Sequence, residues 1–321
     1  MAYIEDIVSR SSVSVNPPTV GVDIHVTSHG TDWLWTCFAL YVVSTLVHGG
    51  FFLFSKNHTF KRTLLAFPIF ISAVLGFAYY TMASDLGYTG IDTEFSHADT
   101  FDGTGIRQVF YARYVGWFLA WPFTLALIEF TNHPVDFNST EQDLFTKIFT
   151  FASSLFTKVL TAEFFVISYL VGIFIHSTYK WGYFVFGTFS LLVGVYLVGW
   201  QSISGRYNNF KQSGLSTLFL GLYLIVWILY PIAWGLSEGG NYIQPDSESV
   251  FYGILDLFIF LIIPAGLAWP LIREVDEEFF KNVVSLEYRH GVDAEKSIPE
   301  TPRHSGDTAV PPLGAPAVED A

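Results

Sequence analysis

Cysteine is all but missing from this chain: Cys37 stands alone among 321 residues, so no disulfide can form within it. Charge is scarce as well. Only 14% of residues are charged, against 51% hydrophobic and 18% aromatic, and the mean hydropathy is +0.41. Soluble domains carry about 25% charged residues, so an ordinary soluble fold is excluded. The scarcer sign is positive, with 16 basic residues against 29 acidic ones and a net charge of −13, which argues against nucleic acid as a partner. The nine histidines are scattered, with no metal-site spacing of His, Cys and carboxylate. No phosphate-binding loop, GxSxG elbow or dinucleotide fingerprint occurs, so no enzyme activity is expected. The first thirty residues are polar, with Glu5, Asp6 and Pro17-Pro18, so no cleavable leader is expected and the first apolar run must direct insertion.

What the chain has is long apolar runs, at 33–54, 64–84, 110–130, 151–175, 182–200, 215–236 and 250–272. Each approaches the ~20 residues that carry an α-helix across ~30 Å of hydrocarbon. An all-α, seven-helix membrane bundle is expected, with spans four and five parted only by the turn His176–Gly182. Lys56, Lys61 and Arg62 follow span one, Arg206 and Lys211 follow span five, and Arg273 follows span seven. Acids occupy the alternate loops: Asp92, Glu94, Asp99 and Asp102, then Glu238, Asp246 and Glu248. The positive-inside rule then predicts the N-terminus outside and the C-terminus in the cytosol, although the acidic third loop (Asp136, Glu141, Asp143) adds little. Residues 1–31 read as an extracellular segment, 32–273 as the bundle, and 274–321 as a cytosolic tail, acidic at first and then rich in Pro, Ala, Ser and Thr, which predicts disorder. The sequons at Asn57 and Asn138 fall in loops assigned to the cytosol and should carry no glycan.

Span seven contains one carboxylate, Asp256, and no basic residue. A carboxylate at membrane depth is costly and marks a candidate site with a partner to be found. Phe260 follows one turn later on the same face. Span three places Arg113, Trp117 and Trp121 on one face. An arginine there needs an acceptor, for which Asp256 is the candidate; the alternative is that Arg113 snorkels to the outer interface. Span six places Trp227, Tyr230 and Trp234 around Pro231, a stripe that by itself reads as core packing or interfacial belt. Glu163 in span four would be costly facing lipid, and is expected to bond a neighbouring hydroxyl while protonated or to relay protons. Glu129, late in span three, is expected at the cytosolic interface.

Together these segments resemble the microbial (type I) opsin family. Arg113-Tyr114-x-x-Trp117-x-x-x-x-Pro122, Trp227-x-x-Tyr230-Pro231-x-x-Trp234 and Leu255-Asp256 match its retinal-pocket framework in order and spacing. NPPT (Asn16–Thr19), SHGTDWLW (Ser28–Trp35), YYTMASDLG (Tyr79–Gly87), RQVFYARYVGWFLAWP (Arg107–Pro122), HSTYKWGY (His176–Tyr183) and QPDSESVFYGILDL (Gln244–Leu257) look like signatures of its fungal opsin-related subgroup. The likeness spans residues 16–272. A receptor of the G-protein-coupled kind is disfavoured, because span three ends in IEFTNHP and span seven in IIPAGLAWP.

The departures carry the functional content. Phe260 occupies the position at which photoactive members have the lysine that condenses with retinal, and phenylalanine has no amine. Gly116 stands at the proton-acceptor position and Leu127 at the proton-donor position, so no covalent retinal and no other cofactor is expected, and the inner half of any proton path should be dry. Arg113, Asp256, Glu238 and Glu248 remain as a vestige of the outer half, the Glu238 match requiring a one-residue gap. The resemblance implies a stress-related, non-photoactive plasma-membrane protein with a regulatory or scaffolding role, whose partners are membrane lipids, the plasma-membrane proton ATPase and a further copy of the chain. The alternatives are a residual proton or ion conduit, and noncovalent binding of an apolar ligand in the aromatic pocket.

Overall fold

The computed structural model describes residues 11–54, 62, 64–97, 105–132, 144–207 and 214–274. The sequons, the acids at 99, 102, 136, 141 and 143, the basic residues 56, 61 and 211, and the tail beyond 274 lie outside the described residues.

Among the described residues, seven helices are long and apolar enough to cross a membrane, as expected. They are α1 (Ser28–Phe54), α2 (Ala66–Ala83), α3 (Tyr111–Asn132), α4 (Leu144–Ile173), α5 (Lys180–Tyr207), α6 (Gly214–Trp234, prolonged by a π-helical turn Gly235–Gly239) and α7 (Pro245–Leu257, a π-helical turn Phe258–Ile262, then Ile263–Glu274). Three helices start five or more residues earlier than the apolar runs suggest: α1 at 28 rather than 33, α4 at 144 rather than 151, and α7 at 245 rather than 250. Hydropathy marks the part that sits in hydrocarbon, whereas caps and backbone bonds carry a helix on into the polar interface. In α7 the start is set by Pro245 in the first turn, where its missing N–H costs nothing.

The first and last helices are tied at this end by side chains from the polar margins. Asp246 accepts hydrogen bonds from the Thr27 backbone N–H at 2.7 Å and the Thr27 hydroxyl at 2.5 Å. Thr27 Oγ1 in turn accepts from the His29 backbone N–H at 3.2 Å, a cap on α1. Gly30 is required here, because a Cβ would lie 2.3 Å from Asp246 Oδ1. Between α2 and α3 the chain forms an antiparallel hairpin, β1 (Thr89–Asp92) and β2 (Ile106–Val109), with Ile91 opposite Arg107. Ile24 bridges to Arg107, so the segment before α1 lies along the same hairpin.

Spans four and five are separate helices packed side by side. Ser190 Oγ donates to the Thr161 carbonyl at 2.9 Å, and the hydroxyls of Tyr169 and Thr188 lie 2.8 Å apart. The bundle interior is lined by aromatic side chains: Trp117, Trp121, Trp227, Trp234, Tyr79, Tyr114, Tyr223 and Tyr230 are all essentially without solvent exposure.

Candidate functional site

Asp256 sits in the middle of the bundle and is fully buried. Three neutral donors from three other helices surround it. Tyr79 Oη of α2 donates to Oδ2 at 2.7 Å, while Tyr230 Oη of α6 and Trp117 Nε1 of α3 donate to Oδ1 at 2.7 and 2.9 Å. The expected pairing of Arg113 with Asp256 is therefore corrected, and so is the snorkelling alternative. Arg113 is buried, its Nη1 donates to Glu248 Oε1 at 2.7 Å, and Glu238 Oε1 lies 3.4 Å away. The reason is register. Arg113 lies in the first turn of α3, at the hairpin end, and Glu248 precedes Asp256 by two turns, about 12 Å along α7. The level of Asp256 on α3 belongs to Trp117.

Around Arg113 the charges balance. Arg107, from β2, donates through Nη2 to Glu248 Oε2 at 2.7 Å, and through Nη1 to Asn241 Oδ1 at 2.6 Å and the Ile243 carbonyl at 2.8 Å. Glu238 accepts from Tyr114 Oη at 3.0 Å, Tyr252 Oη at 3.1 Å and Ser237 Oγ. The Arg113 guanidinium also lies over the Tyr252 ring, 4.2 Å from its centroid. Two arginines thus face two buried glutamates, each acid held by several donors. Glu238 lies inside the π-helical turn that ends α6. Such a turn accommodates one extra residue, which gives the one-residue gap in the sequence match a physical basis.

One turn beyond Asp256, Phe260 falls within the second π-helical turn and is fully buried. Its ring meets Trp121 edge to face at 4.9 Å, and Trp121 stacks on Trp227 at 4.9 Å with an interplanar angle of 30°. Tyr223 closes on both indoles, at 6.0 and 5.2 Å. Gly194 gives Trp227 its place, because a Cβ there would lie 2.6 Å from the indole. The stripe on α6 is therefore inward-facing. Trp234 packs away from Asp256, against Tyr169, Phe184 and Trp181 at 5.4, 5.3 and 5.8 Å. Pro231 is buried within α6 beside Tyr230. Gly116 faces α2, where a Cβ would lie 2.8 Å from that of Ala78. The position expected to match a proton acceptor is thus a tight helix-packing contact. Leu127 is buried in the core.

Three further expectations are corrected away from the hairpin end of the bundle. Glu129 does not sit at an interface: it is fully buried and paired with Lys158 of α4, with Gln201 of α5 bonded to both. Lys158 lies well inside α4, so this half of the bundle, expected to be dry, holds buried charge. Ser44 and His48 of α1 form a smaller polar group there with Ser72 of α2. Glu163 bonds no hydroxyl: its carboxyl oxygens are sheltered and without a hydrogen-bond partner among the described residues.

Sequence reasoning did not single out Tyr79, Arg107, Tyr252, Asn241, Lys158 or Gln201 as site residues. Arg107 and Tyr79 stood inside quoted motifs, but only the folding back of the hairpin and the closing of α2 on α7 bring them to the acids. Outside the spans, Asp85 is buried at a positive φ of 57°. Burial pushes its carboxyl above the ordinary value of 3.8, against the lowering effect of the Gln108 amide, which donates to it at 2.6 Å.

Comparison with known proteins agrees with this geometry. Over its whole length the chain is similar to the 30 kDa heat shock protein of Saccharomyces cerevisiae, 36% identical over 97% of this chain and 96% of that one. The opsin-like protein carO of Fusarium fujikuroi is 35% identical over 84% of this chain and 87% of its own. Among solved structures, the light-driven proton pump rhodopsin of Coccomyxa subellipsoidea superposes with a TM-score of 0.63 at 23% identity, over 76% of this chain and 97% of that one, a likeness of fold alone. The family model described as bacteriorhodopsin-like protein matches residues 30–261. With that match laid over seven membrane-spanning helices, the chain belongs to the bacteriorhodopsin-like family, as an opsin-like multi-pass membrane protein.

Proposed function

We propose that this protein is a non-photoactive opsin of the plasma membrane. Its N-terminus lies outside and its tail in the cytosol, and it regulates or scaffolds other membrane proteins under stress, with the plasma-membrane proton ATPase as its target. It is not an enzyme and holds no covalent retinal. One observation carries the reading: the carboxylate retained at Asp256 is bound by three neutral donors, and Phe260, one turn on, is packed against Trp121. In an imine pigment that carboxylate would face a cationic nitrogen. Here two hydroxyls and an indole N–H satisfy the carboxylate with no cation in contact.

The conduit reading has less support. The buried acids Glu238 and Glu248 are matched by Arg113 and Arg107, and such pairing holds their charge in place rather than leaving it to be exchanged. Noncovalent binding of an apolar ligand is disfavoured by the direct contacts between Trp121, Trp227 and Phe260. The similarity to a heat shock protein supports the stress assignment.

The test compares stress-associated proton efflux in cells carrying three variants at matched surface expression: a truncation after Glu274, neutralisation of Asp136, Glu141 and Asp143, and Asp256→Asn. A regulator acts through the parts a partner can reach, so the truncation or the loop change should alter efflux and Asp256→Asn should leave it alone. A pH-driven current through the protein in liposomes, abolished by Asp256→Asn, would overturn the reading in favour of transport.

A further inference from the structure

The second buried charge group is not accounted for by the opsin framework. Glu129 of α3 lies two turns beyond Trp121 and about 80° around the helix from it, on the side that α4 and α5 cover. There it meets Lys158, which is 3% exposed, while Glu129 itself has no exposure. Lys158 donates to Glu129, to Gln201 and, at 3.0 Å, to Ser154 one turn back on its own helix. Gln201 closes the triangle by donating through Nε2 to Glu129 Oε1 at 3.0 Å. Each ligand comes from a different helix, and all three lie toward the end of the bundle remote from the hairpin.

Packing alone does not call for charge here. Apolar residues of the same volume commonly hold helices together as well as a buried ion pair or better, because the pair must first be desolvated. What a pair adds is geometry, since amine, carboxylate and carboxamide are satisfied together only in one mutual placement of the three helices. We propose that Glu129, Lys158 and Gln201 form a clamp that holds the end of α5 against α3 and α4, restricting this half of the bundle to one conformation. The clamp is independent of the Arg113 cluster at the other end and of any regulatory partner.

Two properties of the chain make this measurable. Phe54 at the end of α1 is 84% exposed and Ile203 at the end of α5 is 63% exposed, both on the clamp side. Spin labels at Phe54→Cys and Ile203→Cys, with the buried Cys37 replaced by Ser, report the position of α5 by electron–electron double resonance. Tyr179→Cys paired with Val20→Cys reads the hairpin end as a control. The informative variant is the double change Glu129→Leu with Lys158→Met, which removes both charges and leaves no unpaired one buried. It should purify with a Tm near that of the parent, yet show a second, longer distance at the clamp end and an unchanged distance at the hairpin end. Gln201→Leu, which keeps the ion pair, should also release α5, and it serves if the double variant does not purify. A single, parental distance in either folded variant would overturn the proposal and leave packing as what fixes α5.

Discussion

Replacing Glu248 by Gln tests the charge arrangement most directly. Glu248 is the hub of the hairpin-end cluster: Oε1 takes Arg113 and Oε2 takes Arg107, both at 2.7 Å, and all three side chains are buried. Glutamine keeps one acceptor but turns an amide NH₂ toward one guanidinium, leaving Glu238, 3.4 Å from Arg113, as the cluster's one carboxylate. Removing one partner of a buried pair costs about 3–5 kcal/mol. At ~2–4 °C per kcal/mol, the value for larger domains, Tm should fall by roughly 6–20 °C. Asp256→Asn should cost far less. Oδ1 carries two of the three donors and survives as the amide oxygen, so the new NH₂ faces only the Tyr79 hydroxyl, which can rotate to accept; about 1 kcal/mol is expected. Unfolding in mild detergent can be followed with a thiol-reactive fluorophore, because Cys37 is buried and the chain has no other cysteine. Double-mutant cycles with Arg113→Gln then separate the partners. Coupling of about 2 kcal/mol or more is expected with Glu248→Gln and under about 0.5 kcal/mol with Asp256→Asn, the range found for independent sites. A larger coupling to Asp256 than to Glu248 would refute the assignment of Arg113.

Adding all-trans retinal should give no visible band, and Phe260→Lys should restore at most a weak one, because Gly116 offers no carboxylate as counterion and Trp121 occupies the space beside residue 260; a strong, hydroxylamine-sensitive pigment from Phe260→Lys alone would contradict this. Asp85→Asn should raise Tm at pH 7, since a carboxyl whose value is raised by burial contributes stability below its ordinary 3.8 and loses it as pH rises through the native value. Asparagine also tolerates the positive φ, and the gain should vanish near pH 3; an equal Tm difference at both pH values would count against burial as its cause. Endoglycosidase should leave mobility unchanged and a C-terminal tag should be protease-protected in sealed cells, while a glycan on Asn57 or Asn138 would reverse the proposed orientation.

Class and helix number were legible in the sequence, and so were the aromatic and acidic residues of the centre. Apolar runs of membrane-crossing length require a helical bundle, and the spacings of Trp117 with Trp121 and of Trp227, Tyr230 and Trp234 put each set on one face of its helix. That residue 260 carries no amine was legible because it depends on residue type at one position. Tertiary structure alone decided who meets whom. Arg113 and Asp256 lie on facing helices, but the relative slide of α3 and α7 sets Arg113 two turns away, opposite Glu248. Arg107 reaches the same acid only because a hairpin folds back over the bundle. Glu129, Lys158 and Gln201 are 29 and 43 residues apart along the chain, and their meeting depends on the rotation of three helices about their axes, which hydropathy does not encode. Periodicity specifies which face of a helix turns inward; axial register and rotation arise from the packing of whole helices, and those place the charges.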